Sequence, residues 1–515
     1  MHRNSPPPPP PACRERRLRS ASLFPRLFLQ ELSDHHHHKK NKMGCLSVLS
    51  PFKQKAGKNE ENEVLNQNIS HNPSASACCC ACEPLPGYEE VNQKMQWDPI
   101  SDEATKTAQS SKEMGDTIAS TIKSIDGELR KLSLSMWSKP ELGWQERETH
   151  DLFVSYLKGK DGWKVTPHAY GFETAFRAEF IHRPEGCKIK SEDLPTIGFQ
   201  SELDALPGIG HACGHNLIAI AGVGASLALA NALQKHDVPG RVVLLGTPAE
   251  EMQGGKIRLL AKGAYKGMDT CLMVHPASLD SVGIMLAKSD LLVRYTGHGA
   301  HAGAAPWEGV NAQDAAVLSY VNISALRQQI KPDYRVHGII QGDKSWASNV
   351  IPAACDLMFN IRAPTANECD TLTKRVHNCF EAAALATGCK ADIRISDPYK
   401  DVANNDSLAD SFRAIADQRF SKKVTKQAFF ASTDFGDVTY ALPALHAQYS
   451  IPLKNPATDK NHTPGFADAA KTQEAHDLTL EAAITIAIIG AKVASDGAYR
   501  KQIWDQWKKW KGGRI

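Results

Sequence analysis

The chain has 515 residues, of which 42% are hydrophobic and 23% are charged, and its formal net charge is +3. This composition is typical of globular proteins, and the length predicts more than one domain, or one domain with tails. The net charge is small, and no basic stripe with interleaved aromatic residues is present, which argues against nucleic-acid binding. No apolar run reaches the roughly eighteen residues that a membrane span needs.

The N-terminal region, residues 1–112, is predicted to be disordered. It contains a proline run at 6–11, an arginine cluster at 14–19 and a histidine tract at 35–38. Such low-complexity sequence buries too little apolar surface to offset the loss of chain entropy. Two targeting alternatives stay open: an organellar transit peptide at the arginine-rich start, or translation from Met43 with acylation of Gly44 and Cys45, which would give a lipid-anchored form.

The cysteines indicate the redox compartment. Of the 13 cysteines, six precede residue 83 and seven are scattered singly through the rest of the chain. A small secreted domain held together by disulfides would have a more regular framework. We therefore expect a reducing, cytoplasmic location.

Residues 113–285 alternate helical and strand-like segments. Apolar residues recur at helical spacing in 118–136, 146–157 and 217–234, while β-rich runs occupy 175–181, 196–199, 242–245 and 270–274. This alternation predicts an α/β fold, in which a parallel or mixed sheet lies between helices. The active site of such a fold lies at the carboxyl ends of the strands.

A smaller domain is predicted to interrupt this one at residues 286–400. Its segments follow the order strand, helix, strand, strand, helix, strand, which is typical of a ferredoxin-like domain. Helices at 407–420 and 478–493 then return to the first domain, whose second part is expected at 401–498.

The C-terminal tail, residues 499–515, is basic and contains Trp504, Trp507 and Trp510. Three-residue spacing puts these rings near one helical face. We expect a helix that packs its tryptophans on the domain; a helix that lies at a membrane interface is the alternative.

Five candidate metal ligands lie between residues 213 and 462. They are Cys213, His215, Glu251, His275 and His462. Thiolate, imidazole and carboxylate groups are the ligands that borderline-soft divalent metals such as zinc prefer. Each residue alone has an ordinary explanation, so the prediction depends on the set. Glu250 is left as a spare carboxylate, and a carboxylate beside a metal can activate water, which predicts a hydrolase.

Five ordered motifs within residues 114–497 resemble the metallopeptidase 20 family of dinuclear zinc amidohydrolases and carboxypeptidase-like enzymes. They are E-L-D-A-L-P at 202–207, H-A-C-G-H-N at 211–216, G-T-P-A-E-E at 246–251, G-H-G-A-H-A at 297–302 and N-V-I-P at 349–352. The resemblance is closest to the amidohydrolase branch, and within it to dipeptidases that cleave β-alanyl-lysine and Xaa-Arg dipeptides. It implies a zinc-peptidase-like α/β/α catalytic domain with an inserted ferredoxin-like dimerisation or lid domain.

The resemblance implies a dinuclear metal centre. Cys213 would bridge two divalent ions, zinc ahead of manganese or cobalt, and the other four candidate ligands would complete the two shells. Glu250 would be the general base, and Asp204 would orient a ligand.

The resemblance also assigns roles to the inserted domain. His301 would reach the active site of the partner in a homodimer and stabilise the tetrahedral oxyanion, while Asn349 and Arg362 would hold the terminal carboxylate of the substrate. The alternatives are that His301 caps a turn, that Asn349 is a turn residue, and that Arg362 forms a structural ion pair with Asp356 or Glu368.

The sequence departs from the branch in two places. Asn216, Leu217 and Ile218 follow His215 where many relatives have Asp-x-His, and Glu202 stands where other branches have a metal-binding histidine. The predicted function is metal-dependent hydrolysis of the amide bond in small dipeptides or N-acyl amino acids. The alternatives are an aminoacylase or carboxypeptidase of the same family, and a catalytically silent scaffold. Membrane contact is expected only through an acylated N-terminal region or the basic tail.

Overall fold

The computed structural model describes residues 112–342, 346–396 and 398–513. The predicted N-terminal disorder and both targeting alternatives fall outside these ranges, apart from Lys112, which begins the first helix.

The larger domain is built on a six-stranded mixed sheet. Its strands are β1 (Trp163–Thr166), β2 (Phe176–His182), β3 (Thr196–Glu202), β4 (Gly240–Thr247), β5 (Thr270–Ala277) and β10 (Ala444–Ser450), in the order β1-β2-β4-β3-β5-β10. β3, β4, β5 and β10 are parallel, whereas β1 and β2 pair antiparallel with their neighbours. Because β10 comes from a late part of the chain, two separate segments form this sheet.

Helices cover both faces of the larger sheet. They are α1 (Lys112–Ser124), α2 (Asp126–Ser138), α3 (Arg147–Lys158), α4 (His215–Lys235), α5 (Glu250–Gln253), α6 (Gly255–Ala261), α9 (Asp406–Phe420), α10 (Phe435–Ala441), α11 (Pro464–Ala469), α12 (Gln473–Ser495) and α13 (Gly497–Gly512). Side chains alternate along β4. Val242 and Leu244 enter a core shared with α4 and α12, while Val243 and Leu245 enter one shared with α6 and α10. The arrangement is α/β/α, which confirms the predicted fold class.

The smaller domain has its own sheet and core. Its elements are β6 (Ala287–Thr296), α7 (Ala312–Leu326), β7 (Arg335–Gln341), β8 (Ala354–Ala363), α8 (Ala366–Thr387) and β9 (Lys390–Ile395). The strands are antiparallel in the order β7-β8-β6-β9, and α7 and α8 pack on the sheet around a separate hydrophobic core. This βαββαβ order is that of a ferredoxin-like domain.

Some local features differ from the sequence prediction. The segment 118–136 is two helices rather than one, because Ile125, with φ −108° and ψ 6°, separates α1 from α2. Acidic Asp126 and Glu128 then occupy the first turn of α2, where negative charge favours a new helix N-terminus. Two strands of the larger sheet, β1 and β10, were also not predicted. β1 has only four residues, and in β10 the buried His446 and Gln448 interrupt the apolar run.

Two helices, α4 and α12, are long and apolar enough to cross a membrane by length and composition alone, but 94% and 78% of their apolar windows are buried inside the fold. Core helices of large domains have the same character.

The C-terminal helix α13 packs its tryptophans on the larger domain. Trp504 contacts the core, Trp507 Nε1 donates a hydrogen bond of 2.8 Å to the carbonyl of Thr439, and the ring of Trp510 lies 4.8 Å from that of Tyr440.

Candidate active site

The candidate residues gather at one edge of the larger sheet. β3 ends at Glu202, β4 ends at Thr247 shortly before Glu250, and His275 lies near the end of β5. Because these three strands are parallel, their carboxyl ends meet at the same edge. Residues that are distant in sequence are therefore close in space.

Gly214 forms the turn between Cys213 and His215. Its φ is +80°, in the left-handed region, and a Cβ at this position would lie 2.5 Å from Cγ of Pro276. Glycine is the residue that adopts this backbone without strain. The turn places the Cys213 side chain in the site and makes His215 the first residue of α4.

Two imidazoles are oriented by backbone carbonyls. His215 Nδ1 donates to the carbonyl of Asp204 at 2.7 Å, and His275 Nδ1 donates to that of Pro276 at 2.7 Å. This leaves His275 Nε2 free to bind a metal ion. Burial alone would lower the pKa of His215, but the neighbouring Glu202 raises it well above its ordinary value, so a metal ion would displace the proton at Nε2 of that ring. His275 Nε2 lies 3.3 Å from Cys213 Sγ.

Asp204 holds the turn that carries the paired glutamates. Its two carboxylate oxygens accept the backbone N–H groups of Glu250 and Glu251, each at 3.1 Å. Burial alone would raise the pKa of Asp204, but its contact with His215 and these N–H groups lower the pKa below its ordinary value. The preceding residue, Ala249, has a left-handed φ of 54°, which is uncommon outside glycine and often marks functional turns.

His462 approaches from the loop before α11. Its φ is 69°, and its backbone N–H donates to the carbonyl of Ala212 at 2.9 Å. Its Nε2 lies 3.4 Å from Glu251 Oε2. His462, like Ala249, therefore has a left-handed backbone conformation. Its backbone is hydrogen-bonded to the residue before Cys213, and its side chain faces Glu251.

These side chains form overlapping groups that suit metal ions. Ligand atoms of Cys213, His215 and His275 lie within 4.8 Å of one another, as do those of Cys213, Glu251 and His462. The thiol belongs to both groups, so a thiolate there would be available to an ion held by either group. Glu251 Oε1 is buried without a hydrogen-bond partner among the described residues. Such atoms are costly unless they bind something, and the donor set fits a pair of zinc-like divalent ions.

The pKa shifts of Glu251, Cys213 and His275 in the metal-free protein also suit a metal site. Burial and the neighbouring Glu250 raise the pKa of Glu251 to about 8, and burial raises the pKa of the Cys213 thiol well above its ordinary value. Burial and the nearby His446 lower the pKa of His275 to about 3, which keeps its imidazole neutral. A divalent ion would displace the protons of Cys213 and Glu251 and bind the neutral imidazole directly.

On the smaller domain, His301 and Asn349 lie in paired loops. The N–H of Ala302 donates to the carbonyl of Asn349 at 2.9 Å, and both candidate side chains are exposed. His301 Nδ1 accepts the N–H groups of Gly303 and Ala304 at 3.2 Å and 3.0 Å. His301 thus caps a turn through Nδ1, as one alternative predicted. Because Nδ1 accepts, Nε2 of His301 carries the proton and remains a possible donor.

Arg362 faces the junction of the two domains. Its Nε donates to Asn360 Oδ1 at 2.9 Å, and its Nη1 lies 3.4 Å from the carbonyl of Phe430. Its positive charge contributes to the lowered pKa of His462, although burial is the larger cause. The alternative ion-pair acceptors have other partners: Asp356 pairs with Arg294 at 3.0 Å, and Glu368 pairs with Lys331 at 2.6 Å.

Comparison with known proteins assigns the family. The sequence pattern of Peptidase family M20/M25/M40 matches residues 195–478. The chain belongs to this family. It is 40% identical to the Xaa-Arg dipeptidase of Mus musculus over 377 residues and to that of Homo sapiens over 378 residues, in each case 71% of this chain and 85% of the relative. The expectation of a hydrolase of this family is confirmed.

Two solved structures share the fold. A dinuclear metal-binding M20 peptidase from Bacillus subtilis is 18% identical, with a TM-score of 0.54 over 72% of this chain and 99% of that one. An aminobenzoyl-glutamate utilization protein from Klebsiella pneumoniae is also 18% identical, with a TM-score of 0.54 over 73% of this chain and 97% of that one.

The sequence prediction missed one group in this M20 member. Lys256 is fully buried, and its Nζ lies 2.7 Å from Glu202 Oε1 and 2.6 Å from Asp434 Oδ1. A lysine beside two glycines at the start of an apolar helix gave a weak signal, since lysines at helix ends are normally solvated. Asp434 comes from a distant part of the chain, so no local pattern pointed to the contact.

Proposed function

We propose that this protein hydrolyses the amide bond of small dipeptides that end in arginine or lysine, β-alanyl-lysine included. The observation that carries the proposal is the Cys213 thiol shared by two ligand groups, with the buried carboxylate of Glu250 beside them. The choice of substrate is supported by the 40% identity to proteins named Xaa-Arg dipeptidase.

Two divalent ions, with zinc the first choice for a thiolate and imidazole set, would be held by Cys213, His215, Glu251, His275 and His462. When bound, they supply Lewis-acid polarisation of the amide carbonyl and acidify a water molecule. Glu250 would take a proton from the attacking water and deliver it to the leaving amine. Burial and the neighbouring Glu202 raise the pKa of Glu250, which moves it toward the neutral range where a carboxylate can both accept and return a proton.

Residues of the smaller domain would bind and orient the substrate. Arg362 carries a guanidinium suited to the terminal carboxylate of a dipeptide, and Asn349 offers an amide donor. His301 would donate Nε2–H to the oxyanion, because the two backbone N–H groups at Nδ1 fix that tautomer.

We further propose a homodimer in which His301 serves the partner's site. Apolar side chains on α7 and on the edge strand β7 support this, since Val317, Val321 and Ile339 are 45%, 54% and 59% exposed. An exposed apolar sheet edge favours pairing with another chain. A cytoplasmic location is supported by the described cysteines, all of which are free thiols.

The test is release of free amino acid from a panel of β-alanyl-lysine, dipeptides ending in arginine, and N-acetyl amino acids. Wild type is compared with Glu250→Gln, each with added Zn²⁺, with Mn²⁺ or with a chelator. We expect metal-dependent cleavage of the basic dipeptides by wild type, and a loss of about 10²- to 10⁴-fold in kcat in the variant. Preference for N-acetyl amino acids would indicate an aminoacylase instead. Absence of turnover on the whole panel with metal bound would favour the scaffold alternative.

A further inference from the structure

A buried cluster of charges lies behind the metal-ligand groups. Glu202, Glu250 and Asp434 each place a carboxylate oxygen within 4.8 Å of the others, and all three are buried. Three carboxylates this close repel one another or attract a cation. The cation here is the ammonium of Lys256, which contacts Glu202 and Asp434.

The backbone holds Lys256 rigidly. Asp434 Oδ2 accepts the backbone N–H of Lys256 at 2.8 Å, while Oδ1 accepts its ammonium at 2.6 Å. At the preceding Gly255, a Cβ would lie only 1.7 Å from the carbonyl oxygen of Pro248, so the chain passes there in very close contact. Lys256 is therefore held at two places: the tight turn at Gly255 holds its backbone, and the carboxylate of Asp434 holds both its backbone N–H and its ammonium.

Glu202 links this cluster to the metal ligands. Its Oε1 contacts the ammonium, and its Oε2 lies 3.2 Å from His215 Nε2, the ring atom that faces the proposed metal position. One carboxylate thus touches both the buried lysine and a candidate ligand. Because Oε2 lies beside the ring atom that would bind the metal, Glu202 borders the proposed metal position, and its place and charge should affect metal affinity.

We propose that Lys256 is a positioning residue of the metal centre, a built-in cation that fixes the carboxylate of Glu202 against His215. The inference rests on the metal centre of the proposed function but not on its substrate. The ammonium offsets part of the negative charge of the three carboxylates and holds the charge of Glu202 in a fixed place beside His215.

The test measures Zn²⁺ affinity of the full chain without substrate, by competition with a chromophoric chelator. The main variant, Lys256→Met with Asp434→Asn, removes one positive and one negative charge, so that no new net charge is buried. Lys256→Gln is a second variant that keeps hydrogen-bond donors but not the charge. Lys400→Met with Asp437→Asn is the matched control, because it removes an ion pair of the same charges that is not part of the Lys256–Glu202 contact. Circular dichroism of the metal-free proteins checks folding.

We expect the control to bind Zn²⁺ as wild type does, and each folded Lys256 variant to bind one Zn²⁺ about 10- to 100-fold more weakly. Glu202→Gln should weaken affinity by a similar factor, and adding it to the main variant should cause no further loss, since both changes act on the same contact. Wild-type affinity in a folded Lys256 variant, with only a lower melting temperature, would mean that the lysine is merely structural. Additive losses with Glu202→Gln would likewise overturn the proposal. Because no substrate is used, an inactive enzyme would leave these outcomes unchanged.

Discussion

Cys213 and His275 are 62 positions apart in sequence, yet Sγ of the cysteine lies 3.3 Å from Nε2 of the histidine. Two ligands of one zinc ion, at bond lengths of about 2.3 Å and 2.0 Å and a tetrahedral angle, lie roughly 3.5 Å apart. The parallel pairing of β3 with β5 and the left-handed turn at Gly214 bring the two atoms together. The folded chain thus presents a nearly preformed ligand pair.

Cys213→Ser should abolish the metal centre. A serine hydroxyl has nearly the size of the thiol but does not ionise near neutral pH, so it cannot act as a bridging anion. Loss of a residue that only hydrogen-bonds to a ligand weakens metal binding by about 10- to 100-fold. Loss of a ligand itself should cost more, so we expect Zn²⁺ affinity to fall by more than about 100-fold. Elemental analysis after dialysis measures the bound metal. Cys187→Ser, at a half-buried free thiol, is the control and should keep full metal content. Equal metal content in both variants would contradict the bridging role.

Arg362→Met should impair substrate binding rather than metal binding. Loss of a charge-assisted, bidentate contact with a carboxylate costs about 1.5–3 kcal/mol, which is roughly a 10- to 150-fold decrease in kcat/KM. Arg362→Lys should recover only part of it, since an ammonium lacks the planar fork. Steady-state kinetics on a dipeptide and on its C-terminal amide measure the effect.

For Arg362, the amide substrate provides the internal control. Wild type should discriminate against it, and the methionine variant should not. Arg294→Met, at an exposed pair with Asp356, should behave as wild type. Unchanged discrimination in Arg362→Met would assign carboxylate recognition to another residue.

The sequence predicted the parts of the site that depend on local pattern. Cys213, His215 and Glu251 stand in short motifs beside strand ends, where topology forces proximity, and the structure brings them together. Lys256 and Asp434 were missed because their contact joins residues 178 positions apart, each ordinary in its own segment. β10 escaped prediction for a related reason: a buried strand that contains polar side chains has no clear apolar period.

Gly214→Ala should destabilise the fold more than an alanine at another left-handed glycine. Gly171 has a similar φ of 83° but open space around its Cβ position, so Gly171→Ala reports backbone strain alone, about 1–2 kcal/mol. At Gly214 the new methyl group would also meet Pro276 at 2.5 Å. Overpacking adds roughly 1–3 kcal/mol. Urea unfolding of the metal-free variants measures the difference.

The Gly214 variant should also bind Zn²⁺ more weakly, because relief of the clash moves Cys213 or His215, whereas the Gly171 variant should not. Equal stability and equal affinity in the two variants would show that the turn tolerates a side chain.

Glu146 should make the metal-free protein less stable as pH rises. Its Oε1 accepts the N–H of Ala249 at 2.8 Å, and its Oε2 is buried without a hydrogen-bond partner among the described residues. Burial, with a smaller contribution from Asp204, raises the pKa of Glu146 from 4.5 to about 7. Between these values the folded state keeps a proton that the unfolded state has lost, so the free energy of unfolding falls with increasing pH.

Glu146→Gln removes this titration while keeping the acceptor for Ala249. Relative to the variant, wild type should lose about 3 kcal/mol of unfolding free energy between pH 4.5 and pH 7 and then stay level, because a pKa unit corresponds to about 1.4 kcal/mol. Urea titrations of both proteins in chelator, at intervals across that range, give the difference directly, and groups common to both proteins cancel. A wild type that gains stability over the variant as pH rises would mean that Glu146 is ionised in the folded state. In that case the turn at Ala249 that carries Glu250 and Glu251 would be held by a carboxylate anion rather than by a neutral acid.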